Sequence, residues 1–577
     1  MICVSYVQSD TMTFRKNPKR YFLIYCLTFL LFVPIYYRLL SLQVYNQEQL
    51  IELAAKQHYL GVEIAPRRGY IFDRNGNELA ISLKVPSIYV VPRLIFNKEE
   101  TAQHLSSMLD LDYAFVLDRV SRDKAFMWLK RKVNEKEAKT IKTLDDPNVN
   151  IIYENKRFYP HGKLLAHVIG FCDIDNNGLE GIELELDKYL CGRSGYQFTK
   201  RDARGRRLVA LEDKYIPPVH GDNVTLTIDQ FIQHIVEREL DDAFIKWKAE
   251  GAMAVVLDCH EGKVLAMANR PTYDLNEYPD AEESFRRNRA ITDFFEPGSV
   301  FKVITASAAL QEGIVTLDDT FYCEKGEYRV TRGRVLHDVH PYGELNFPTV
   351  IIKSSNIGTV KVAQKLGEEK LYHYIKEFGF GELTSIDLPG EVSGMVHHPD
   401  HWSKISITAI PIGQEVAVTT LQLVTALSVI ANGGHVIRPY VIDRIHDDKG
   451  VVIKKTYPLL KRKIIDYDVA HTMRTILTRV VEEGTGRRAR IEGIQVAGKT
   501  GTAQKILKER RGYSHSDFVA CFMGFVPADD PLFSIIVMVD EPRGAYYGGT
   551  VAAPVFKNIA EKTLNYLRGQ GVLSLSS

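Results

Sequence analysis

The chain has 577 residues, a formal net charge of +1 and a hydrophobic fraction of 45%. A chain of this length and composition can bury a large core and form two or three domains. The balanced charge gives no indication of nucleic-acid binding, and no fixed-period repeat or low-complexity tract indicates a solenoid or a disordered chain.

An apolar segment near the N-terminus predicts a membrane anchor. Residues 21–37 form a 17-residue uncharged stretch that follows four basic residues. Basic residues on one flank place the N-terminus inside and the rest of the chain outside. A cleaved secretory signal is the alternative, but the apolar region is long for one and no small-x-small cleavage site follows it closely. We therefore predict a cytoplasmic tail at 1–20 and an uncleaved anchor at 21–44, with Met12 as a second candidate start.

Residues 45–220 predict a mixed α/β module without catalytic equipment. The segment from Pro66 to Ala80 predicts two short strands joined by an Asn-Gly hairpin turn. A Ser-x-x-Lys string at Ser121 to Lys124 lies in a polar, charged stretch with nothing downstream to complete a site. We interpret this region as a spacer or docking module.

Neither the cysteines nor two metal-like strings predict a site. Five of the seven cysteines lie in the presumed exported part, an odd number, and although Cys172 and Cys191 could pair we expect no disulfide framework. The string at 173–178 resembles half a calcium loop, but Leu184 stands where the bidentate glutamate should fall. The histidines of 397–401 surround a proline that favours an irregular loop. We predict no metal and no cofactor.

Residues 221–577 predict a second, larger domain. Its expected elements are a helix at 229–250, strands at 252–258, 263–268, 495–502, 518–526 and 532–539, and a helix at 553–567. Strands from both ends of the domain can form one antiparallel sheet covered by the terminal helices, whereas the middle, 300–485, is largely helical and predicts a second lobe. Ligand sites usually lie in clefts between lobes.

Three motifs in this domain together predict a serine acyltransferase. They are Ser299-Val-Phe-Lys302, Ser354-Ser-Asn356 and Lys499-Thr500-Gly501-Thr502. The set supplies a nucleophile, a proton-handling lysine, a relay hydroxyl and a cationic strand that can hold an anionic substrate. The last two strings occur once each, and they follow Ser299 in the expected order.

The sequence around Ser299 fits the role of a nucleophile. A Pro-Gly break precedes it and an apolar, Ala-rich pattern follows, so Ser299 is expected at a helix N-terminus with Lys302 on the same face. A buried Lys302 near Lys499 would have a lowered pKa, because desolvation and like charge both disfavour the ammonium form. The alternative interpretation of Lys302 is a surface lysine on an amphipathic helix.

The chain resembles the class B penicillin-binding proteins, the monofunctional D,D-transpeptidases of bacterial peptidoglycan synthesis. Beyond the three motifs, the resemblance rests on four pedestal segments: Arg68–Gly76, Arg157–Pro160, Ala166–Gly170 and Gly178–Glu183. It implies an α+β fold: a two-lobed penicillin-binding/β-lactamase-like transpeptidase domain on a mixed α/β pedestal, with one N-terminal transmembrane helix. Segments 338–343, 387–391 and 547–554 resemble the septal, cell-division branch more than the rod-elongation branch.

The resemblance also implies a role for each residue of the three motifs. Ser299 attacks the penultimate D-Ala carbonyl of a stem pentapeptide, and neutral Lys302 takes its proton. Ser354, helped by Asn356, passes a proton to the leaving amine. The backbone amides of Ser299 and Thr502 form the oxyanion hole. The donor carboxylate is held by Lys499, Thr500 and Thr502, on a strand whose Gly498 and Gly501 permit close approach of a peptide. A bulge or twist point in the strand is a further interpretation of Gly501, and both can hold at once.

Partners and location follow from the same resemblance. The expected ligands are peptidoglycan stem peptides and β-lactam antibiotics, and the expected protein partners are an FtsW-type membrane glycosyltransferase and other divisome proteins. The expected location is the bacterial inner membrane, in a single pass, with the catalytic domain in the periplasm. Three alternatives stay open: an elongation-type transpeptidase, a membrane-anchored serine β-lactamase, and a non-enzymatic β-lactam sensor or scaffold.

Overall fold

A computed structural model of the protein describes residues 18–45, 47, 50, 59–200, 214–331, 334–506 and 512–571. The chain divides into two compact units. The first comprises Met1–Ala65 and Ser194–Pro218, and the second comprises Pro66–Arg193 and Val219–Ser577.

The first unit contains the predicted anchor. An α-helix at Pro18–Leu40 continues into one π-helical turn at Ser41–Tyr45, and its large apolar side chains are exposed. The span Lys19–Tyr45 is long and apolar enough to cross a bilayer, and so fits a single-pass membrane anchor. The same unit holds a three-stranded antiparallel sheet whose strands are Tyr59–Ile64, Gly195–Lys200 and Lys214–Ile216.

The second unit is built around a five-stranded antiparallel sheet, which we call the central sheet. In spatial order its strands are Val264–Arg270, Gly251–Asp258, Phe533–Asp540, Tyr513–Val526 and Ala497–Ile506. The strand Ala497–Ile506 therefore lies at one edge, and we call it the edge strand. This is the predicted pairing of strands from the two ends of the domain.

Both faces of the central sheet are buried, which explains the near-continuous apolar runs of its strands. Helices Gln230–Trp247 and Ala553–Gly569 pack against one face, through side chains such as Val236 and Phe556. The other face, which includes Val255, packs against helix Thr420–Ala431.

The predicted helical lobe follows the first two strands of the central sheet. Its α-helices are Arg289–Thr292, Lys302–Gln311, Phe347–Ile352, Asn356–Leu366, Glu368–Glu377, Thr420–Ala431 and Tyr467–Glu482. Short two-stranded ladders pair Phe294–Phe295 with Val418–Thr419, Thr320–Tyr322 with Glu344–Asn346, Glu327–Thr331 with Arg334–His337, and His435–Ile437 with Leu460–Lys463. A short helix at Gly548–Val551 precedes the C-terminal helix.

A seven-stranded sheet joins the pedestal segments to the larger domain. Its strands are Ile71–Phe72, Glu78–Val90, Met127–Lys130, Val149–Phe158, Asn223–Leu226, Ile442–His446 and Val452–Lys455. Strands Ile71–Phe72 and Glu78–Val90 form the predicted hairpin, and Ile71–Phe72 also pairs in parallel with Asn223–Leu226. Helices Lys98–Leu109, Tyr113–Ser121 and Glu135–Lys142 pack beside this sheet, and three shorter helices follow at Ala166–Ile169, Gly181–Glu185 and Asp187–Leu190.

Three of the four pedestal segments that carry the family resemblance, Arg68–Gly76, Arg157–Pro160 and Gly178–Glu183, meet at one buried carboxylate, Glu183. Its two oxygens accept hydrogen bonds from Arg68 Nε at 2.7 Å and from Arg157 Nε at 2.6 Å. Glu183 is fully buried and both arginines are nearly so. Burial alone raises the pKa of Glu183, but the positive charges and hydrogen bonds of Arg157 and Arg68 outweigh it, so the pKa is lowered.

The metal-like strings have ordinary structural roles in the part of the chain that the structure describes. Asp173 Oδ1 accepts hydrogen bonds from the amides of Asp175 and Asn177, which makes a polar turn. The ring of His398 accepts from the amide of Asp400 at the start of a short 3-10 helix. Cys172 is a free, buried thiol that donates to Glu183.

Candidate functional site

The three motifs converge on one cleft of about 980 Å3. It is lined by Ser299, Ser354, Asn356, Thr500, Gly501 and Thr502, together with residues from four further loops. Lys302 and Lys499 lie directly behind this lining, and both are fully buried. The structure thus brings together every residue that the sequence placed in the site.

Ser299 lies in a tight turn that leads into a helix. A 3-10 turn at Gly298–Phe301, which we call the nucleophile turn, continues directly into the α-helix Lys302–Gln311. This matches the expected helix N-terminus, except that its first turn has 3-10 geometry. A neighbouring loop holds the turn in place, because the Gly298 amide donates a hydrogen bond to Gly413 O at 3.1 Å.

Lys302 points away from solvent toward the Ser-x-Asn motif. Its Nζ donates to Ser354 O at 2.6 Å, to Ser354 Oγ at 3.2 Å and to Asn356 Oδ1 at 2.7 Å. Because the side chain is completely buried, the alternative interpretation as a surface lysine is wrong. Ser299 Oγ is not among these three acceptors, although one helical turn separates the two residues.

Burial lowers the pKa of Lys302 to about 7, and the negative charge of Asp338 partly offsets this effect. The sequence predicted the direction and the desolvation, but it assigned the second contribution to Lys499. The like-charge effect acts instead on Lys499, whose pKa is well below its usual value because of burial first and the charge of Lys302 second. At neutral pH a substantial fraction of Lys302 is therefore the free amine.

One hydroxyl joins the two lysines. Ser354 Oγ accepts from Lys499 Nζ at 2.9 Å and lies 3.2 Å from Lys302 Nζ. Lys499 Nζ also donates to its neighbour's carbonyl, Thr500 O, at 3.2 Å. A hydroxyl both donates and accepts, so Ser354 can carry a proton between these groups.

The backbone at Ser354 is strained in a way that serves these contacts. Its φ is +59°, in the left-handed region that non-glycine residues rarely adopt. Such strain costs about 1–3 kcal/mol and persists where the surrounding structure imposes it. Here it lets the carbonyl and the hydroxyl of one residue both face Lys302 Nζ.

Asp338 organises the Ser-x-Asn motif, a role that sequence reasoning missed. Its carboxylate accepts from Ser355 Oγ at 2.6 Å and from the amides of Asn356 and Ile357, the first residues of helix Asn356–Leu366. An acidic residue at a helix start is favourable because the unpaired amides there carry partial positive charge. In the sequence Asp338 belongs only to a segment that resembles the septal branch, and no spacing rule ties it to Ser355.

The edge strand supplies a row of hydroxyls along the cleft. Thr500 Oγ1 shares a 2.6 Å hydrogen bond with Thr485 Oγ1, and Thr502 Oγ1 accepts from the Gly548 amide at 3.1 Å. Thr485 also lines the cleft. The sequence did not indicate Thr485, because its loop meets the edge strand only in the folded chain.

The structure shows a packing reason for a glycine at position 501, in addition to the predicted close approach of a peptide. A Cβ at this position would lie 2.9 Å from Val300 Cγ1 and 3.1 Å from Pro297 O. Gly501 therefore lets the edge strand pack against the nucleophile turn. The pairing register of the strand shifts between Gln504 and Ile506 and is regular at Gly501, so there is no bulge at this glycine.

The second Ser-x-x-Lys string has none of this environment. Ser121 ends helix Tyr113–Ser121, and both Ser121 and Lys124 are exposed. The backbone carbonyl of Ser121 accepts a hydrogen bond from Lys98 Nζ at 3.1 Å. The Ser-x-x-Lys spacing alone does not bury its lysine; the fold buries Lys302, and that burial lowers its pKa.

The chain matches two protein families. Residues 252–561 match the penicillin binding protein transpeptidase domain, and residues 63–226 match the penicillin-binding protein dimerisation domain. Among known proteins, the chain is 37% identical over 547 residues to the stage V sporulation protein D of Bacillus subtilis, covering 93% of this chain and 84% of that protein. It is 33% identical over 527 residues to the peptidoglycan D,D-transpeptidase FtsI of Escherichia coli, covering 90% and 87%.

Solved structures resemble it over most of its length. A peptidoglycan synthetase from Bifidobacterium adolescentis has a TM-score of 0.71 and 28% identity, covering 90% of this chain and 98% of that one. Penicillin binding protein 3 from Mycobacterium tuberculosis, solved in complex with aztreonam, has a TM-score of 0.69 and 29% identity, covering 88% and 97%. The fold, the two family matches and the relatives agree, and the chain belongs to the class B penicillin-binding proteins, the transpeptidase family that includes FtsI.

Proposed function

We propose that the protein is a serine D,D-transpeptidase that crosslinks peptidoglycan stem peptides through an acyl-enzyme on Ser299. The observation that carries the proposal is the position of Ser354 Oγ, within hydrogen-bond distance of two buried lysines, Lys302 and Lys499. This arrangement supplies a neutral amine and a proton relay beside the nucleophile turn. Acyl transfer through a serine ester requires both, one to take the serine proton and the other to deliver a proton to the leaving group.

Acylation follows from these groups. Ser299 Oγ attacks the carbonyl carbon of the penultimate D-Ala, and Lys302, neutral because burial lowers its pKa to about 7, takes the serine proton. The carbonyl oxygen receives the negative charge and is held by the backbone amides of Ser299 and Thr502, a contribution of about 3–4 kcal/mol in comparable sites. The C–N bond then breaks, and a proton passes through Ser354 to the departing D-Ala amine.

The edge strand binds the donor peptide. An extended peptide can pair its backbone with an exposed sheet edge, and the edge strand is the outermost strand of the central sheet. Thr500 and Thr502 then hold the terminal carboxylate, and Lys499 supplies positive charge once a nearby carboxylate offsets the burial that lowers its pKa. Asn356 fixes the amine of Lys302 and the substrate amide.

An amine of a neighbouring stem completes the reaction. It attacks the ester carbonyl, the Ser299 Oγ–C bond breaks, and the serine recovers its proton through Lys302. A β-lactam that imitates the D-Ala-D-Ala terminus acylates the same serine and leaves a long-lived penicilloyl ester. A serine β-lactamase would hydrolyse that ester, and a sensor or scaffold would form it without making crosslinks.

We further propose a septal role at the inner membrane. The residues 21–44 anchor the chain with its N-terminus in the cytoplasm, residues 45–220 form a docking pedestal, and residues 221–577 form the periplasmic transpeptidase domain. The ranges of the two family matches support this division.

In this proposal the glycan strands come from an FtsW-type polymerase, and other divisome proteins dock on the pedestal. The identity to FtsI supports the septal role.

A second candidate role is crosslinking during sporulation, which the 37% identity to a stage V sporulation protein favours. Depletion of the protein in its own organism, followed by microscopy, distinguishes the roles. Filamentous cells support the septal role, rounded cells support elongation, and normal vegetative cells with defective spores support the second candidate. An inactive Ser299→Ala copy should fail to restore the normal shape.

A further inference from the structure

The carboxyl group of Glu296 lies in the cleft, and no step of the proposed mechanism uses it. Its Oε1 accepts hydrogen bonds from the Glu415 amide at 2.8 Å and from the Tyr513 hydroxyl at 3.2 Å. Within the described ranges it forms no ion pair; the neighbouring Glu415 carboxylate lies 3.8 Å from Arg334. Burial raises the pKa of Glu296, and the hydrogen bonds from Glu415 and Tyr513 only partly offset this.

Among the described residues, Glu296 is a half-buried carboxylate without a cationic partner. Burial of an unpaired charge is costly, and a hydrogen bond from a cation compensates far better than a neutral donor does. Glu296 is also three residues before Ser299 and lines the same cleft. Its unmatched charge is therefore available to a ligand that occupies the cleft.

Glu296 lies beside the edge strand, and the point of the strand that it faces identifies the part of a bound ligand that it can reach. Tyr513, its hydrogen-bond partner, pairs with Ile506 at the C-terminal end of that strand. The nucleophile turn meets the strand earlier, since a Cβ at Gly298 would lie 2.8 Å from Thr502 O. Glu296 thus lies beyond the nucleophile, at the end of the strand away from Thr500.

The donor runs past Glu296 before it reaches Ser299. Its terminal carboxylate lies at the Thr500 end in the proposed binding mode, so the residues that precede the scissile bond lie toward Ile506. An extended peptide advances about 3.4 Å per residue. The residue one or two places before the scissile carbonyl therefore brings its side chain to the level of Glu296.

The chemistry of crosslinking supplies a cation at this place. In the proposed reaction the acceptor amine belongs to a side chain of a neighbouring stem, and a donor stem of the same composition carries the same amine. We propose that Glu296 binds the ammonium group of the donor stem's own diamino residue and so selects donors whose amine is still free. This inference rests on the proposed transpeptidase function and adds a specificity-determining residue to it.

The selection has a direct consequence for the order of crosslinking. A stem that has already served as acceptor carries an amide in place of the ammonium group, and an amide has no charge to pair with Glu296. Such a stem is a poorer donor. The site therefore favours crosslinks whose donor stems have not yet been used.

A competition experiment with the full-length protein in detergent tests this selection. A fluorescent penicillin labels the protein in the presence of either of two stem pentapeptides ending in D-Ala-D-Ala, one with a free lysine side chain and one with that amine acetylated. The free-amine peptide should slow labelling at an about tenfold lower concentration, as expected for one charge-assisted hydrogen bond. Glu296→Gln should abolish this preference, and Glu296→Asp should retain part of it.

Glu483 provides the matched control. It also lines the cleft, at the Thr485 end, and its carboxylate is paired with Arg479. Glu483→Gln should keep the tenfold preference of the wild type. Equal protection by the two peptides, or an undiminished preference in both Glu296 variants, would overturn the inference while leaving the proposed function intact. Absence of penicillin labelling, or of protection by either peptide, would overturn the proposed function and this inference with it.

Discussion

At the scale of single residues, the main feature is a pair of buried lysines that share one hydroxyl. Two ammonium groups near each other and away from water are unfavourable, so protonation of one disfavours protonation of the other. Lys302 has the carboxylate of Asp338 nearby, whereas Lys499 has only the charge of Lys302 against it. This explains why like charge contributes to the lowered pKa of Lys499, whereas the charge of Asp338 partly offsets burial at Lys302.

The lowered pKa of Lys302 predicts a pH dependence of acylation. In the proposed mechanism the neutral amine is the base, so the rate of acylation by benzylpenicillin should rise as the pH passes through about 7. Stopped-flow or quenched labelling from pH 5 to pH 9 measures the profile. A rate that is flat over this range would contradict the assignment.

The same residue predicts the effect of one substitution. Lys302→Arg keeps a positive charge but removes the base, because a guanidinium stays protonated in this range, and acylation should fall by about 100-fold or more. Lys124→Arg is the matched control, since it makes the same change in the exposed Ser-x-x-Lys string and should acylate like the wild type. A Lys302→Arg variant that acylates normally would refute the base role.

At the scale of elements, the nucleophile turn is held by close backbone contacts that only glycine permits. Gly413 has a φ of +79°, and a Cβ there would lie 2.2 Å from Gly298 O. The Gly298 amide already donates to Gly413 O. The loop that carries Gly413 therefore sets the position of Ser299.

Gly413→Ala should lower both stability and acylation. Gly493 is the control, because its φ is +72° but no atom of the described residues lies within 4 Å of the added Cβ. Gly493→Ala should lower the free energy of unfolding by about 1–2 kcal/mol, the cost of the left-handed conformation. Gly413→Ala should lose about 1–3 kcal/mol more through the added clash. Denaturant unfolding and penicillin labelling check both effects; equal losses in the two variants would contradict the proposed packing.

The buried pedestal carboxylate makes a second prediction at this scale. Removing one partner of a buried ion pair costs about 3–5 kcal/mol, so Glu183→Gln should lower the thermal midpoint strongly. Glu185→Gln, an exposed neighbour, should change it little. Folding lowers the pKa of Glu183. The ionised carboxylate therefore stabilises the fold fully at a pH above the pKa that Glu183 has in the unfolded chain, and this stabilisation is lost as the pH falls through its pKa in the folded protein. The stability difference between Glu183→Gln and wild type should therefore shrink in acid.

At the scale of the whole molecule, the sequence predicted the catalytic domain well because its signals are local. All five strands of the central sheet were predicted, four of them from apolar runs, and the three motifs predicted Ser299, Lys302 and Lys499 as one site. Asp338 and Glu296 were missed as site residues for the same physical reason. The hydrogen-bond partners of these two carboxylates lie on other segments of the chain, which no sequence pattern brings together.

The shared sheet shows the same limit. The sequence pattern changes near residue 221, yet strand Asn223–Leu226 pairs with Ile71–Phe72 of the pedestal as well as with Ile442–His446. A two-residue strand carries too little periodicity to be recognised as part of a larger sheet. The pedestal hairpin was predictable from its Asn-Gly turn, whereas its partners were set by the tertiary fold.

The measurement that tests the central claim most directly is the intact mass of the full-length protein after incubation with benzylpenicillin, followed over hours. Ser299→Ala is the control. We expect a lasting mass increase of one penicilloyl group in the wild type and none in the variant, because a buried neutral Lys302 activates Ser299. A transient increase with consumption of the drug would show a β-lactamase, and no increase, or the same increase in Ser299→Ala, would contradict the acyl-enzyme assignment.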